Sequence, residues 1–381
     1  MYQVTNYING KECFESNESI SIINPSYGTE IGEVLYATKD TANAAVESAY
    51  EASKAWAKTG LSFRAELILK FRQGIINRSN EIVDICISEA GKTRPDAEAE
   101  LDRAVQALTH AAGVQHFYPS NYSQNVAGGI DIADLRFPIG VIAGVGPFNF
   151  PILIPILHSA MALVTGNTYI AKPSEKVPSI SRLYADIWKE AGLPDGCYNV
   201  LNGEKEIVEL LVRHEKVDGL AFIGSTAAAK SLKMLGVDHN TKVQALGGGK
   251  NHMIVLPDAD LDMSADAAVS ASFGAAGQRC MAVSVVVAVG DIADELISKI
   301  QSRMPDLIMG VTDDEKTQLG PVISQANKDR IYSFIDSAEP DGASLVVDGR
   351  NRSNSLEGCF VGPTLIDNVK PGMSVYENEI F

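Results

Sequence analysis

Residues 140–175 read GVIAGVGPFNFPILIPILHSAMALVTGNTYIAKPSE. Two short apolar runs, GVIAGV and TYIAKP, flank a longer apolar stretch that begins near Ile154. Short runs bounded by Gly and Pro have the length of buried strands, and the longer stretch has the length of a helix. Strand, helix, strand at this spacing predicts a parallel sheet covered on both faces. The rhythm continues with a helix from Pro178, CYNVLNG, a helix from Lys205, GLAFIG, a helix from Thr226, KVQALGGG and HMIVLP. The expected fold is α/β and doubly wound, and such sheets bind ligands at the carboxyl ends of their strands.

Upstream, the first third reads as mainly helical. Asp40 can cap a helix in which Val46, Ala49, Tyr50 and Trp56 recur at helical spacing. A second helix is expected around Leu67 to Arg78. A third carries Ile82, Ile85 and Cys86 and stops at Gly91. A fourth runs from about Asp96 to Ala112. Near Asn121 to Asp134 the pattern breaks into polar, Gly-containing sequence. Downstream, a helix from about Leu261 leads into GAAGQRC, the strand AVSVVVAVG and a helix near Asp294 to Met304. A second α/β unit therefore begins around Pro257. The end, VYENEIF, has no closing helix and no polar tail, which suggests a fragment or a shortened gene.

The 381 residues are ample for two domains, and the net charge of −16 repels phosphate backbones and anionic membrane surfaces. No stretch has the uninterrupted apolar length of a spanning helix, and the first residues lack the pattern of a secretory signal. Five widely spaced cysteines, with no C-x-x-C, point to free thiols in a reducing cytoplasm. The six histidines include no pair at metal-ligand spacing, so no metal is expected.

Four segments could carry chemistry. Cys280 follows Gly277-Gln278-Arg279 between a helix and a strand. A thiolate is the best nucleophile at neutral pH, and positive neighbours such as Arg279 favour it. A buried structural cysteine is the alternative. In GVGPFNFP, Asn149 stands past a strand end, where an amide can donate to a developing oxyanion or simply form a turn. In AKPSE, Lys172 and Glu175 can hydrogen-bond ribose hydroxyls or form a solvated ion pair. In FIGST, Ser225 opens a helix whose N–H groups can hold phosphate, or it merely caps that helix. The G-x-G-x-x-G fingerprint is absent.

Taken in order, PFNFP, KPSE, FIGST, LGGGK, GQRC, LGPVI, GPT and ENEIF resemble the motifs of the aldehyde dehydrogenase superfamily. The resemblance runs from NYINGKE to the last residue. It implies an NAD-binding domain over 1–120 and 138–256, an oligomerisation hairpin at 121–137 and a catalytic domain over 257–381. It implies that Cys280 attacks the aldehyde carbon, with Asn149 and the Cys280 N–H holding the oxyanion. Lys172 and Glu175 would take the adenosine ribose, and Ser225 would sit at the pyrophosphate. Glu379 and Phe381 would position the nicotinamide ribose. Phe148, where relatives often have Trp, is counted with the cofactor-binding residues. Full-length members assemble as homodimers or homotetramers.

One departure is informative. Most of the superfamily has Glu four residues before the lysine of this glycine motif, and here that residue is Leu246. That glutamate activates water to hydrolyse the thioester, which leucine cannot do. The thioester would then wait for a thiol such as coenzyme A. QALGGGKNHMIVLPDADLD and FGAAGQRCMA resemble the CoA-acylating branch, the methylmalonate-semialdehyde dehydrogenases. That branch converts malonate or methylmalonate semialdehyde to acetyl- or propanoyl-CoA, and Arg103 and Arg279 fall where its carboxylate-binding arginines lie. Either Glu175 or Glu204 could repel the 2′-phosphate of NADP. ILIPILHSAMAL replaces a Met- and Trp-containing stretch of the branch, and His158 within it reads as structural. Two other readings stay open: a hydrolytic enzyme whose base comes from elsewhere, and an inactive nucleotide-binding chain.

Overall fold

The computed structural model describes residues 2–353 and 355–381. The chain divides into two compact units. The first takes the chain up to Ile22 together with Gly32–Val83 and Ala99–Gly247; the second takes Ile23–Ile31, Asp84–Glu98 and Gly248–Phe381.

Strands come first, where mainly helix was expected: β1 Tyr2–Val4, β2 Asn6–Ile8, β3 Lys11–Cys13, β4 Ser19–Asn24 and β5 Thr29–Leu35. Asn9 and Gly10 both have positive φ (50° and 76°), so they close a tight hairpin between β2 and β3. Helix begins with α1 Lys39–Trp56. Its cap is Thr38, not Asp40: Thr38 is extended and its hydroxyl accepts from the Thr41 N–H at 3.0 Å. Asp40 lies in the first turn, where its charge favours the helix dipole. Then follow α2 Leu61–Asn77, α3 Ser79–Ala90, α4 Arg94–Ala112 and the short α5 Val114–Phe117. Gly91 ends α3 with φ 66°, as its sequence position suggested.

The main sheet of the first unit uses β8 Val141–Val145, β9 Thr168–Lys172, β10 Tyr198–Val200, β11 Gly219–Ile223 and β12 Lys242–Leu246. Its order is β12-β11-β8-β9-β10-β2-β3, with β8 to β12 all parallel and β2 and β3 antiparallel at one edge. The crossovers are α6 Leu153–Val164, α7 Ser179–Ala191, α8 Lys205–Arg213 and α9 Thr226–His239. Every residue of β9 is buried, as an interior strand covered on both faces requires. Val141, Ala143, Ile170 and Leu220 meet Val46 and Leu211 in the core beneath the helices. Between α2 and α7, Phe71 stacks on Trp188 with ring centres 3.7 Å apart. The segment near Asn121 is a hairpin of β6 Tyr122–Ala127 and β7 Ile130–Ala133, exposed at every residue of both strands.

The second unit opens with β13 Asn251–Val255, α10 Leu261–Phe273 and β14 Val283–Ala288. HMIVLP was expected to extend the first sheet. Instead β13 pairs in parallel with β14, and the glycines at 247–249 separate it from β12. β14 is half-exposed along its length. α10 and α11 Ala293–Arg303 enclose Val255, Ala265, Val269, Leu296 and Ile300. The remainder is α12 Gln325–Ala338, the antiparallel pair β15 Ser344–Val347 and β16 Leu365–Asp367, and short helices α13 Arg350–Ser353 and α14 Ser374–Glu377.

Candidate active site

Cys280 is the exposed cysteine; Cys86, Cys197 and Cys359 are buried and Cys13 is half-buried. Burial pushes the Cys197 thiol up to about 12, which makes that residue inert. The turn before Cys280 is strained. After α10 the chain makes a tight 3-10 turn over Gly274–Gly277, with Ala275 at φ 51° and Ala276 at φ 53°. A left-handed alanine costs about 1–2 kcal/mol, so surrounding contacts must hold it.

Those contacts are visible within the second unit. Ala276 packs against the cluster of Val322, Ile331 and Ile335. The buried Gln278 accepts from the Ile323 N–H at 2.9 Å. From β13, the Asn251 amide donates to the Cys280 carbonyl at 2.8 Å and to the Ala282 carbonyl at 2.9 Å. The backbone of residue 280 is therefore fixed from both sides while its side chain faces solvent. Neither Gln278 nor Asn251 was singled out from the sequence.

Arg279 is engaged by its own unit. Its Nη2 lies 2.5 Å from Asp96 Oδ1, in the first turn of α4. A Cβ at Gly274 would stand 2.5 Å from Arg279 Nη1, so only glycine lets the guanidinium lie there. Its charge is thus offset by Asp96, a partner the sequence reading missed. Arg103 is exposed on α4.

The glycine motif and ENEIF meet in the second unit. Lys250 Nζ donates to the carbonyls of Val375 and Asn378 at 2.7 and 2.8 Å. The Glu379 carboxylate lies against Gly248, where a Cβ would come within 1.7 Å of it. Burial lowers the Lys250 pKa, and Glu379 pulls the other way. Arg330 donates to the carbonyls of Glu379 and Ile380, and Phe381 is half-buried.

In the first unit, Lys172 at the end of β9 is only 5% exposed, so it is no solvated surface charge. Its ammonium donates to the Gly203 carbonyl at 2.8 Å and stands 3.9 Å from Glu175 Oε2. Burial lowers its pKa, while Glu175 and Glu204 favour the charged form. Ser225 does cap α9, its hydroxyl accepting from the Ala228 N–H at 3.3 Å. Residues 225–227 are exposed and the first turn carries no acid, so this helix start stays open to an anion. An open helix start after β11 and a buried, hydrogen-bonded lysine at the end of β9, two strands along the same sheet, suit a dinucleotide.

Asn149 is buried just past β8, and Phe148 beside it is half-buried. Leu246 ends β12 and is 51% exposed. His158 has its Nδ1 buried without a protein partner, and burial lowers its pKa to about 4, so it is neutral at pH 7.

The aldehyde dehydrogenase family matches residues 14–381, and the chain belongs to that family. Among its relatives, malonate-semialdehyde dehydrogenase of Bacillus pumilus (strain SAFR-032) is 38% identical over 378 residues, 99% of this chain and 78% of the relative. The crystal structure of methylmalonate-semialdehyde dehydrogenase from Oceanimonas doudoroffii superposes with a TM-score of 0.97 at 39% identity, covering 100% of this chain and 78% of that one. A Sinorhizobium meliloti 1021 structure described as a methylmalonate-semialdehyde dehydrogenase complexed with NAD gives 0.96 at 39% identity, with the same coverage. The fold is therefore that of the aldehyde dehydrogenases.

Proposed function

We propose that this chain is an NAD-dependent, CoA-acylating dehydrogenase of malonate or methylmalonate semialdehyde, working through a thioester on Cys280. The observation that carries this is an exposed thiol on a pinned backbone, in a chain with Leu246 where hydrolytic relatives place their base. The names of its relatives support the substrate class.

The Cys280 sulfur attacks the aldehyde carbon, forming a C–S bond and an oxyanion. Asn149 and the Cys280 N–H donate to that oxygen. The oxyanion collapses and hydride leaves the carbon. Bound NAD accepts the hydride. Lys172 and Glu175 would take the adenosine ribose, Ser225 and the start of α9 the pyrophosphate, and Glu379 and Phe381 the nicotinamide ribose; Phe148 is counted with the cofactor-binding residues. The first unit thus holds the residues assigned to the adenosine ribose and pyrophosphate, and the second carries the nucleophile. Arg103 and Arg279 take the substrate carboxylate, Arg279 with its fork steadied by Asp96. The C–C bond to the carboxylate then breaks, releasing carbon dioxide, which water converts to bicarbonate; the electron pair passes into the thioester enolate, and its α-carbon takes a proton from water. The CoA thiolate then attacks the acyl carbon and expels the Cys280 thiolate.

A homodimer or homotetramer belongs to the same reading. Tyr122, Ile130 and Ile132 are exposed on the hairpin, an apolar surface that a second copy would cover. No helix among the described residues is long and apolar enough to cross a membrane. We place the enzyme in the cytoplasm on its widely spaced thiols.

The test is NADH formation from malonate semialdehyde with and without CoA. Without CoA, the account predicts a burst of about one equivalent per Cys280 that then stalls; adding CoA restores turnover. Equal steady-state rates in both, with free acid as product, would support hydrolysis instead.

A further inference from the structure

The corner around Lys172 holds more carboxylate than one ammonium balances. Beside Glu175, at 3.9 Å, the lysine also feels Glu204, which follows its hydrogen-bond acceptor Gly203. Glu204 is the N-cap of α8, a position that favours Ser, Thr, Asp or Asn. Its side chain makes no capping hydrogen bond. Instead it accepts from the Tyr36 O–H at 3.1 Å. Tyr36 is 9% exposed, and burial followed by the charge of Glu204 raises its pKa, so the phenol stays a donor. Glu204 itself is exposed. A buried tyrosine thus holds a solvent-facing carboxylate that does not cap its own helix, and its charge acts on the lysine.

We propose that Glu204, oriented by Tyr36, is a specificity-determining residue that turns NADP away. The inference rests on the reading that Lys172 and Glu175 take the adenosine ribose. A 2′-hydroxyl can donate to a carboxylate there. A 2′-phosphate would meet two carboxylates around an ammonium they already offset, and like charges brought together carry a repulsive cost. Tyr36 acts through Glu204 and is a positioning residue.

The test is equilibrium binding of NAD and NADP to the full chain, followed by calorimetry. Glu204→Gln removes the charge and keeps an acceptor for Tyr36, and melting curves check that each variant is folded. Glu204→Gln should tighten NADP binding about tenfold, equivalent to about 1.4 kcal/mol, while NAD stays within about threefold. Tyr36→Phe should tighten NADP by less, because the freed carboxylate keeps its charge but loses its aim. The proposal is overturned if Glu204→Gln leaves NADP affinity within about twofold of the parent while Glu175→Gln or Lys172→Met alters NAD affinity; the ribose reading then survives alone. If neither Glu175→Gln nor Lys172→Met alters NAD affinity, the ribose reading falls and takes the proposal with it.

Discussion

Cys280→Ala is expected to lower kcat/KM for aldehyde oxidation by at least about 10⁴-fold, because the covalent route disappears with its nucleophile. Residue 280 is exposed, and its backbone is held by Asn251 through the carbonyl, which alanine retains. Folding stability should therefore stay within about 0.5 kcal/mol of the parent. NAD affinity, measured by calorimetry, should be unchanged, since Cys280 is not among the residues assigned to the cofactor and those taking the adenosine ribose and pyrophosphate lie in the first unit. Cys197→Ala provides the contrast. That thiol is buried and raised to about 12, so its loss should affect packing and leave the chemistry intact. A Cys280→Ala variant that still oxidises aldehyde at the parental rate would remove the proposed mechanism.

Leu246→Glu is expected to make the enzyme independent of CoA. A positioned general base contributes about 10²–10⁴-fold, so steady-state NADH formation without CoA should rise by that order and yield free acid. The change is structurally mild. Leu246 is 51% exposed at the end of β12, an edge strand of the sheet. The stability cost should stay within about 1 kcal/mol. Leu246→Gln is the control: it matches the shape of glutamate and cannot take a proton at neutral pH. If neither variant gains CoA-free turnover, the missing base is not what makes the acyl group wait. If both gain it equally, polarity rather than proton transfer is responsible.

Much of the architecture could be read from local sequence. TYIAKP carries the signature of a strand buried on both faces, and the alternation of such runs with helical segments is what the parallel sheet from β8 to β12 displays. The early strands were less legible because each of β1 to β3 spans three residues, too few to show alternation. Even so, Asn9-Gly10 is a hairpin signal written in the sequence. Thr38 and Asp40 are both good capping residues, and only the backbone conformation decides between them. HMIVLP announced a strand without announcing its neighbour, since an apolar run specifies burial and not pairing.

The site divides in the same way. Cys280, Asn149 and Lys172 stand in local motifs that make each a candidate, with a structural alternative beside it, and only the order of the motifs along the chain joined them into one site. Their supports come from far along the chain: Gln278 with Ile323, Asn251 with Cys280, Asp96 with Arg279, Tyr36 with Glu204. Nothing in a local window of sequence marks Asp96 as the partner of Arg279 across 183 positions. Glu204 left a faint trace, being an unusual residue at a helix start.

Intact-protein mass spectrometry, after mixing the enzyme with malonate semialdehyde and NAD in the absence of CoA, bears most directly on the chemistry. The account predicts an acyl group on Cys280 that persists and disappears when CoA is added. Unmodified Cys280, with NADH and free acid still accumulating, would contradict it.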